Sequence, residues 1–283
     1  MEIIRAKTAG FCMGVSLALR RLDQALSGEM NGRVVTLGPI IHNPQVIADY
    51  ARRGVVEVND PAELRPGDRV LIRAHGIPKE MEEALVQAGV EIVDATCPKV
   101  KKAQENIAEM CSAGLTLVLF GEAEHPEVRG LLSYSSPGSL LFSSLQELEA
   151  LPLEQETSYF LAAQTTQDQD FFLQAAEILK ARLHRPLLVL NTICDATRKR
   201  LNEAGTLAEK VEAMVVVGGL SSGNTRRLAA AAEERGIKAY HVEVPEMLPL
   251  DELRGLSSIG LIAGASTPKT IIDAVQKLLD TLK

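Results

Sequence analysis

The sequence predicts an α/β fold in which one unit is repeated three times. Apolar runs of strand length recur along the chain, and each ends in a glycine or polar turn before a helical pattern begins. This is typical of parallel strands that are buried on both faces of a sheet. Cysteines and polar loop residues recur at similar places between the runs. Together these observations predict three similar α/β domains.

The apolar runs form two sets of three. In the first set the run ends in glycine, and a loop and a helical pattern follow; its members are 34–37, 115–120 and 214–217. In the second set the run leads through a short polar turn into the next helix; its members are 70–72, 159–162 and 259–262. Proline, serine and threonine at these turns are residues that favour helix starts.

Cys12, Cys97 and Cys194 lie at similar distances from the loops that follow them. The first polar loop residue comes 30, 28 and 30 residues after the cysteine, and the second a further 33, 40 and 42 residues on. The residues counted are His42, His125 and Asn224 for the first loop, and His75, Thr165 and Ser266 for the second. Such even spacing indicates equivalent positions in a repeat.

The predicted units run over 1–96, 97–193 and 194–283. Each would contribute one cysteine loop and two polar loops, and all nine loops follow predicted strands. Ligands of parallel α/β sheets lie beyond the carboxyl ends of the strands. Units arranged around a pseudo-threefold axis would therefore turn these loops toward one central cavity.

Composition limits the class of partner. The formal net charge is -7, tryptophan is absent and aromatic residues make up 4% of the chain. We therefore expect no nucleic-acid or membrane partner, since neither a basic excess nor aromatic stacking residues are present. Four cysteines without a signal-peptide pattern are not typical of a disulfide framework, so we expect a cytoplasmic protein.

Three cysteines in separate post-strand loops are typical of a metal site. Structural zinc sites usually carry paired Cys-x-x-Cys segments, which this sequence lacks. A [4Fe–4S] cluster held by only three cysteines would leave one iron open, and an open position is the mark of a catalytic metal site. We interpret Cys111, near the end of a predicted helix over 100–112, as a packing residue.

The polar loops favour an anion. His42, His75 and His125 occupy repeat loops, whereas we interpret His184 and His241 as surface residues. Several loop residues begin predicted helices, where free N–H groups favour phosphate, although helix capping alone would explain the same residue types. No nucleotide-binding glycine motif is present. The residues of this set are His42, His75, His125, Thr165, Thr166, Ser222, Asn224 and Ser266.

Glu127 lies two residues after His125. In a partly dry cavity it could act as a general acid. It could equally be a carboxylate that the positive end of a helix dipole favours. The sequence leaves both interpretations open.

Seven short segments of the chain form a specific set of motifs. They are GFCMGV at 10–15, GPIIHNP at 38–44, RAHG at 73–76, DATCP at 94–98, HPEV at 125–128, QTT at 164–166 and NTIC at 191–194. Together they resemble the family of 4-hydroxy-3-methylbut-2-enyl diphosphate reductases, the last enzymes of the methylerythritol phosphate route to isoprenoids. The resemblance covers essentially the whole chain in order.

This resemblance implies a trefoil of three α/β domains around a central [4Fe–4S] cluster on Cys12, Cys97 and Cys194, with the fourth iron open to the substrate hydroxyl. Glu127 and Thr165 would form the proton path. The substrate would be a small allylic diphosphate. The residues implied to hold it are His42, His75, Ser222, Asn224 and Ser266, with His125 beside the diphosphate or the hydroxyl.

The resemblance also implies a reductive reaction. Two electrons, delivered singly by reduced ferredoxin or flavodoxin, would remove the hydroxyl as water and yield isopentenyl and dimethylallyl diphosphate. In the third unit the family usually has Asn-Ser-Ser-Asn, where this chain has Ser221-Ser222-Gly223-Asn224. Gly223 therefore offers only its backbone N–H to a diphosphate.

Two other functions remain open on the residues alone. A redox-neutral hydratase could use an open iron as a Lewis acid. An iron–sulfur redox sensor would need the cysteines, but it would need neither the polar loops nor Glu127.

Overall fold

The computed structural model describes residues 1–28 and 32–282. The strands are β1 (Glu2–Arg5), β2 (Val34–Leu37), β3 (Val55–Val58), β4 (Arg69–Ile72), β5 (Glu91–Asp94), β6 (Thr116–Phe120), β7 (Leu140–Phe142), β8 (Tyr159–Ala163), β9 (Leu188–Val189), β10 (Ala213–Val217), β11 (Lys238–Val242) and β12 (Ser258–Ala263). The helices are α1 (Met13–Ser27), α2 (Pro44–Arg52), α3 (Lys79–Gln87), α4 (Pro98–Ser112), α5 (Pro126–Ser133), α6 (Leu145–Ala150), α7 (Gln169–Arg182), α8 (Asp195–Ala208), α9 (Gly223–Glu233), α10 (Leu250–Leu253) and α11 (Lys269–Asp280). Short 3₁₀ turns lie at Pro61–Glu63 and Pro245–Met247.

The strands form three four-stranded sheets of the same topology. Their orders are β3-β2-β4-β5, β7-β6-β8-β9 and β11-β10-β12-β1, and every pairing is parallel. Each of the six predicted apolar runs forms one of the two central strands of a sheet. The prediction of an α/β fold with three similar units is confirmed.

The third sheet takes its fourth strand from the start of the chain. β1 pairs with β12 from Glu2 opposite Ser258 to Arg5 opposite Leu261. The other strands of the three sheets fall within 1–96, 97–193 and 194–283 respectively. Those domain boundaries stay a prediction. Cys12 thus follows the last strand of the third sheet, as Cys97 and Cys194 follow the last strands of the first and second.

The chain divides into two compact units. The first comprises Met1–Ser16, Ile41–Arg53 and the chain from Asp195 onward, and it contains the third sheet. The second comprises Leu17–Ile40 and Gly54–Cys194, and it contains the other two sheets. None of the helices in the described part of the chain is both long and apolar enough to cross a membrane.

The central strands supply the cores. All residues of β2, β8 and β10 are buried, because helices cover both faces of each sheet. In the third sheet, one face packs Val215, Val217 and Leu261 beneath α11, and the other packs Met214 and Val216 beneath α8 and α9. Burying one such side chain contributes about 1.5–3 kcal/mol, and the rigid sheets position the loops at their carboxyl ends.

Gly264 lies directly after β12, in the turn that carries Ser266, and it permits a close approach by α9. A Cβ at this position would overlap Oγ1 of Thr225, which is fully buried. We expect Gly264→Ala to lower the free energy of unfolding by about 1–3 kcal/mol, the usual cost of overpacking. Denaturant titration of the purified protein checks this.

The matched control is Gly130→Ala. A Cβ at Gly130, within α5, would make only ordinary contacts at 3.5–3.7 Å. Alanine is favoured over glycine in a helix by up to about 1 kcal/mol, so this variant should be neutral or stabilised. Equal stability losses in the two variants would contradict the proposed close approach.

Candidate functional site

Each of the three predicted metal-ligating cysteines is anchored in the same way. Each follows an edge strand, and its backbone N–H donates to a carbonyl just beyond the neighbouring strand. These bonds join Cys12 N to Ala265 O (3.1 Å), Cys97 N to Ala74 O (2.9 Å) and Cys194 N to Thr165 O (2.8 Å). Each of these three cysteines therefore lies beside the second polar loop of a sheet.

Each of these cysteines also directly precedes a helix. Met13 begins α1, Pro98 begins α4 and Asp195 begins α8. The first N–H groups of a helix lack partners within it, so they can donate to a sulfur atom at the helix start. At Cys12 this is visible as a hydrogen bond from the N–H of Val15 to Sγ, at 3.5 Å.

Cys111 occupies a different position in the fold from the other three cysteines. It lies in the last turn of α4, at the negative end of the helix dipole. Its side chain is partly buried and packs against the cluster that contains Ala103, Ile107 and Leu117. This environment agrees with the interpretation of Cys111 as a packing residue.

A hydrogen-bonded network surrounds Glu127 in the second unit. Glu127 is only 1% exposed, and its two carboxylate oxygens accept from the backbone N–H of Thr165 at 2.5 Å and from its hydroxyl at 3.0 Å. The carbonyl of Thr165 in turn accepts from Cys194. One residue thus links a buried carboxyl group to a candidate metal ligand.

His125 caps the helix that carries Glu127. Nδ1 of His125 accepts from the Glu127 N–H at 3.1 Å, so a neutral ring carries its proton on Nε2 and can donate it outward. The ring of His75 lies edge-on to that of His125, with the ring centroids 5.4 Å apart. The structure therefore brings together two histidines that the sequence placed in different repeats.

In the first of the two compact units, the turn before α9 presents several hydrogen-bond donors. Oγ of Ser222 caps the helix by accepting from Thr225 N at 3.4 Å, which leaves its hydroxyl hydrogen free to donate. The N–H groups of Gly223 and Asn224 belong to the first turn and have no carbonyl partner within the helix. Nδ2 of Asn224 is buried, and no hydrogen-bond partner for it occurs within 1–28 or 32–282.

Ser266 and His42 lie together in the first unit. Oγ of Ser266, a residue that is 8% exposed, donates to the carbonyl of His42 at 3.1 Å. A Cβ at Gly219 would come within 3.0 Å of the same carbonyl, so glycine lets the turn before α9 approach the loop of His42. Helix capping and packing therefore use some of the hydrogen-bonding capacity of these polar groups. The side chain of Asn224 and the first N–H groups of α9 can still donate.

The interpretation of His241 as a surface residue is wrong. Its side chain is half-buried, and Nε2 lies 3.0 Å from the carbonyl of Gly218, in the turn that leads to α9. Burial lowers the pKa of His241 despite the hydrogen bond to Gly218 and the nearby charge of Glu243, so the ring is neutral near pH 7. His184 is exposed, as predicted.

Sequence reasoning missed the groups that anchor the cysteines. They are the backbone carbonyls of Ala74, Thr165 and Ala265, which accept from the three cysteine N–H groups. Two of these residues are alanines, whose side chains offer no chemical signal. Only the position two or three residues after a predicted strand could have indicated them.

Comparisons with known proteins agree on one family. The model of the LytB protein family matches residues 3–280. A relative from Nitratidesulfovibrio vulgaris (strain DSM 19637 / Miyazaki F), named 4-hydroxy-3-methylbut-2-enyl diphosphate reductase, is 60% identical over 282 residues, which is 100% of each chain.

Two solved structures are also similar. One, described as (E)-4-hydroxy-3-methyl-but-2-enyl diphosphate reductase, the terminal enzyme of the non-mevalonate pathway, is 38% identical with a TM-score of 0.73 and covers 99% of this chain and 100% of its own. The other, the E-1-hydroxy-2-methyl-but-2-enyl-4-diphosphate reductase from Plasmodium falciparum, is 24% identical with a TM-score of 0.92, over 99% of this chain and 87% of its own, and supports the fold alone. With its matching sequence, three equivalent sheets and repeated cysteine loops, this chain belongs to the LytB protein family.

Proposed function

We propose that this chain reduces 4-hydroxy-3-methylbut-2-enyl diphosphate to isopentenyl and dimethylallyl diphosphate. The observation that carries the proposal is the equivalent anchoring of Cys12, Cys97 and Cys194, each beside a loop with anion-binding donors. A full-length relative at 60% identity bears the name of this reductase. The atoms balance when two electrons and two protons enter and the hydroxyl leaves as water.

The three cysteines are the proposed ligands of a [4Fe–4S] cluster. None of the three forms a disulfide, and soft sulfur donors next to helix N-termini suit iron in such a cluster. With one ligand per iron, three thiolates leave the fourth iron available. When bound, the cluster supplies single electrons and a Lewis-acidic site for the substrate hydroxyl.

The proposed diphosphate site uses neutral donors rather than a basic patch. In the first unit it comprises the hydroxyl of Ser222, the N–H groups of Gly223 and Asn224, and the buried amide of Asn224. Helix N-termini favour phosphate through such N–H groups and the dipole. We also assign His42, Ser266, His75 and His125 to substrate binding, as the family resemblance implies.

Glu127 and Thr165 are the proposed proton path. The Glu127 carboxyl is held by two hydrogen bonds from Thr165, in a position almost closed to solvent. Burial prevents uncontrolled exchange with bulk water, while the Thr165 hydroxyl can pass a proton onward because it both donates and accepts. His125 Nε2 offers a second donor beside this path.

Two further assignments complete the proposal. Reduced ferredoxin or flavodoxin would deliver the electrons one at a time. The compartment would be the cytoplasm, where cysteines that form no disulfide are maintained in the reduced state.

A turnover assay under anaerobic conditions tests the proposed reaction against a redox-neutral hydratase and a redox sensor. We expect both isoprenoid diphosphates to form from the hydroxylated substrate only when reduced ferredoxin or another one-electron donor is supplied. Turnover without any reductant would indicate a hydratase. Failure to turn over with an intact, reduced cluster would indicate a sensor and contradict the proposal.

Cys97→Ser should remove most of the bound iron and the visible absorbance of the cluster, because a thiolate ligand is lost. Iron and sulfide analysis of anaerobically purified protein measures this. The matched control is Cys111→Ser, which makes the same change at a cysteine that only packs in α4 and should retain wild-type iron content. Wild-type iron and absorbance in the Cys97 variant would exclude Cys97 as a ligand.

Glu127→Gln should lower kcat by roughly 100-fold or more, the usual weight of a general acid. The amide preserves the local geometry, since its oxygen can accept from Thr165 N–H and its nitrogen can donate to the Thr165 hydroxyl. Iron content should therefore remain normal. Steady-state kinetics check the prediction, with the exposed Glu124→Gln as the control in the same loop. A near-normal kcat would refute the role of Glu127.

A further inference from the structure

The loop that leads from β1 to Cys12 makes little backbone hydrogen bonding of its own. Ala6 N–H bonds to Leu261 at its start, and Cys12 N–H bonds to Ala265 at its end. Over residues 7–11 a turn interrupts the ladder, and the backbone hydrogen bond within the loop runs from Ala9 N–H to the Ala6 carbonyl. Gly10 has φ +107°, a conformation that glycine adopts readily and other residues do not.

Glu203 on α8 binds the first half of this loop. Its carboxylate accepts from Lys7 N at 2.7 Å, from Thr8 N at 2.8 Å and from the Thr8 hydroxyl at 2.5 Å. Burial alone would raise the pKa of Glu203, but the hydrogen bonds from Thr8 and Lys7 outweigh burial and hold the pKa below its usual range. The carboxylate is therefore charged at neutral pH.

Arg200, one turn earlier on the same helix, binds the second half. It is 4% exposed, and its guanidinium donates to the carbonyl of Thr8 at 3.0 and 2.6 Å and to that of Gly10 at 2.7 Å. Residues three apart on a helix lie on the same face, so Arg200 and Glu203 reach the loop together. Their six hydrogen bonds fix both its N–H and its C=O groups.

One of the two carbonyls that accept from Arg200 belongs to Gly10, only two residues before Cys12. A flexible loop would let the thiol move, whereas a loop held by charged hydrogen bonds restricts it. The guanidinium also brings a buried positive charge to the loop that carries a ligand of an anionic cluster. Nearby positive charge favours the more negative, reduced state of such a cluster.

We propose that Arg200 and Glu203 are positioning residues for Cys12, and that Arg200 also raises the reduction potential of the cluster that Cys12 holds. The second part rests on the proposed function, because it requires the cluster. The first part concerns the loop and stands on the hydrogen bonds alone.

Hydrogen exchange followed by mass spectrometry tests the loop. In Arg200→Gln and Glu203→Gln, amide exchange in the segment 6–12 should quicken by roughly tenfold or more, the factor expected when charged hydrogen bonds are lost. Peptides containing Cys97 and Cys194 should exchange as in the wild type. Arg198→Gln and Glu209→Gln, at exposed positions of α8 and just beyond its end, are the matched controls and should leave 6–12 unchanged.

The iron-loaded protein tests the effect on the cluster. Arg200→Gln should shift its midpoint potential to a more negative value and alter the electron paramagnetic resonance signal of the reduced state. Arg200→Lys, which keeps the charge but cannot form the same fork of bonds, should restore much of the potential but not the exchange protection. If Arg200→Gln fails to fold, amide exchange and the midpoint potential are measured in Arg200→Lys and Glu203→Gln instead.

Unchanged amide exchange in the segment 6–12 would overturn the proposal that Arg200 and Glu203 hold this loop. Faster exchange with an unchanged potential and resonance signal would show that the loop is anchored without positioning the ligand, and would also overturn the proposal. A wild-type chain that binds no iron would instead refute the proposed function, while the exchange measurement would still decide whether Arg200 and Glu203 hold the loop.

Discussion

The pairing of each edge strand with its neighbour is the constraint on which the site depends. β1, β5 and β9 lie parallel to β12, β4 and β8, and beyond each edge strand a cysteine N–H bonds to a loop carbonyl. A slip of one residue in this pairing would bring a different carbonyl opposite each cysteine. The cores of the sheets, which fix the register, therefore also fix the backbone of each cysteine.

The same geometry explains why three of the four cysteines differ chemically from the fourth. In a parallel sheet each strand runs into a loop and then a helix, so a residue at the carboxyl end of a strand meets the positive end of a helix dipole. Cys12, Cys97 and Cys194 occupy this position, whereas Cys111 lies in the last turn of α4. The topology thus places three cysteines, but not the fourth, where unpaired helix N–H groups can donate to sulfur.

The sequence predicted the central strands well, since runs such as 159–162 and 214–217 are apolar throughout and buried on both faces. It did not predict that β1 joins the third sheet, because an edge strand is half-exposed and its partner, β12, is some 250 residues away. Arg200 was missed because a charged residue on a helix is usually exposed. Its spacing from Thr197, Ala204 and Leu207, which are all buried, is the signal that could have placed it on the inner face of α8.

Thr165 connects the buried carboxyl group of Glu127 with Cys194. Its carbonyl anchors Cys194, while its N–H and hydroxyl hold Glu127. A buried carboxyl group that gives up and regains a proton needs hydrogen-bond partners in both its charged and its neutral form. Otherwise each transfer would leave a buried polar atom without a partner. The hydroxyl meets this requirement because it can donate to the carboxylate and, after rotation, accept from the carboxylic acid. The N–H remains bound to the other oxygen throughout. The proposed proton transfer from Glu127 would therefore leave the backbone that positions Cys194 in place.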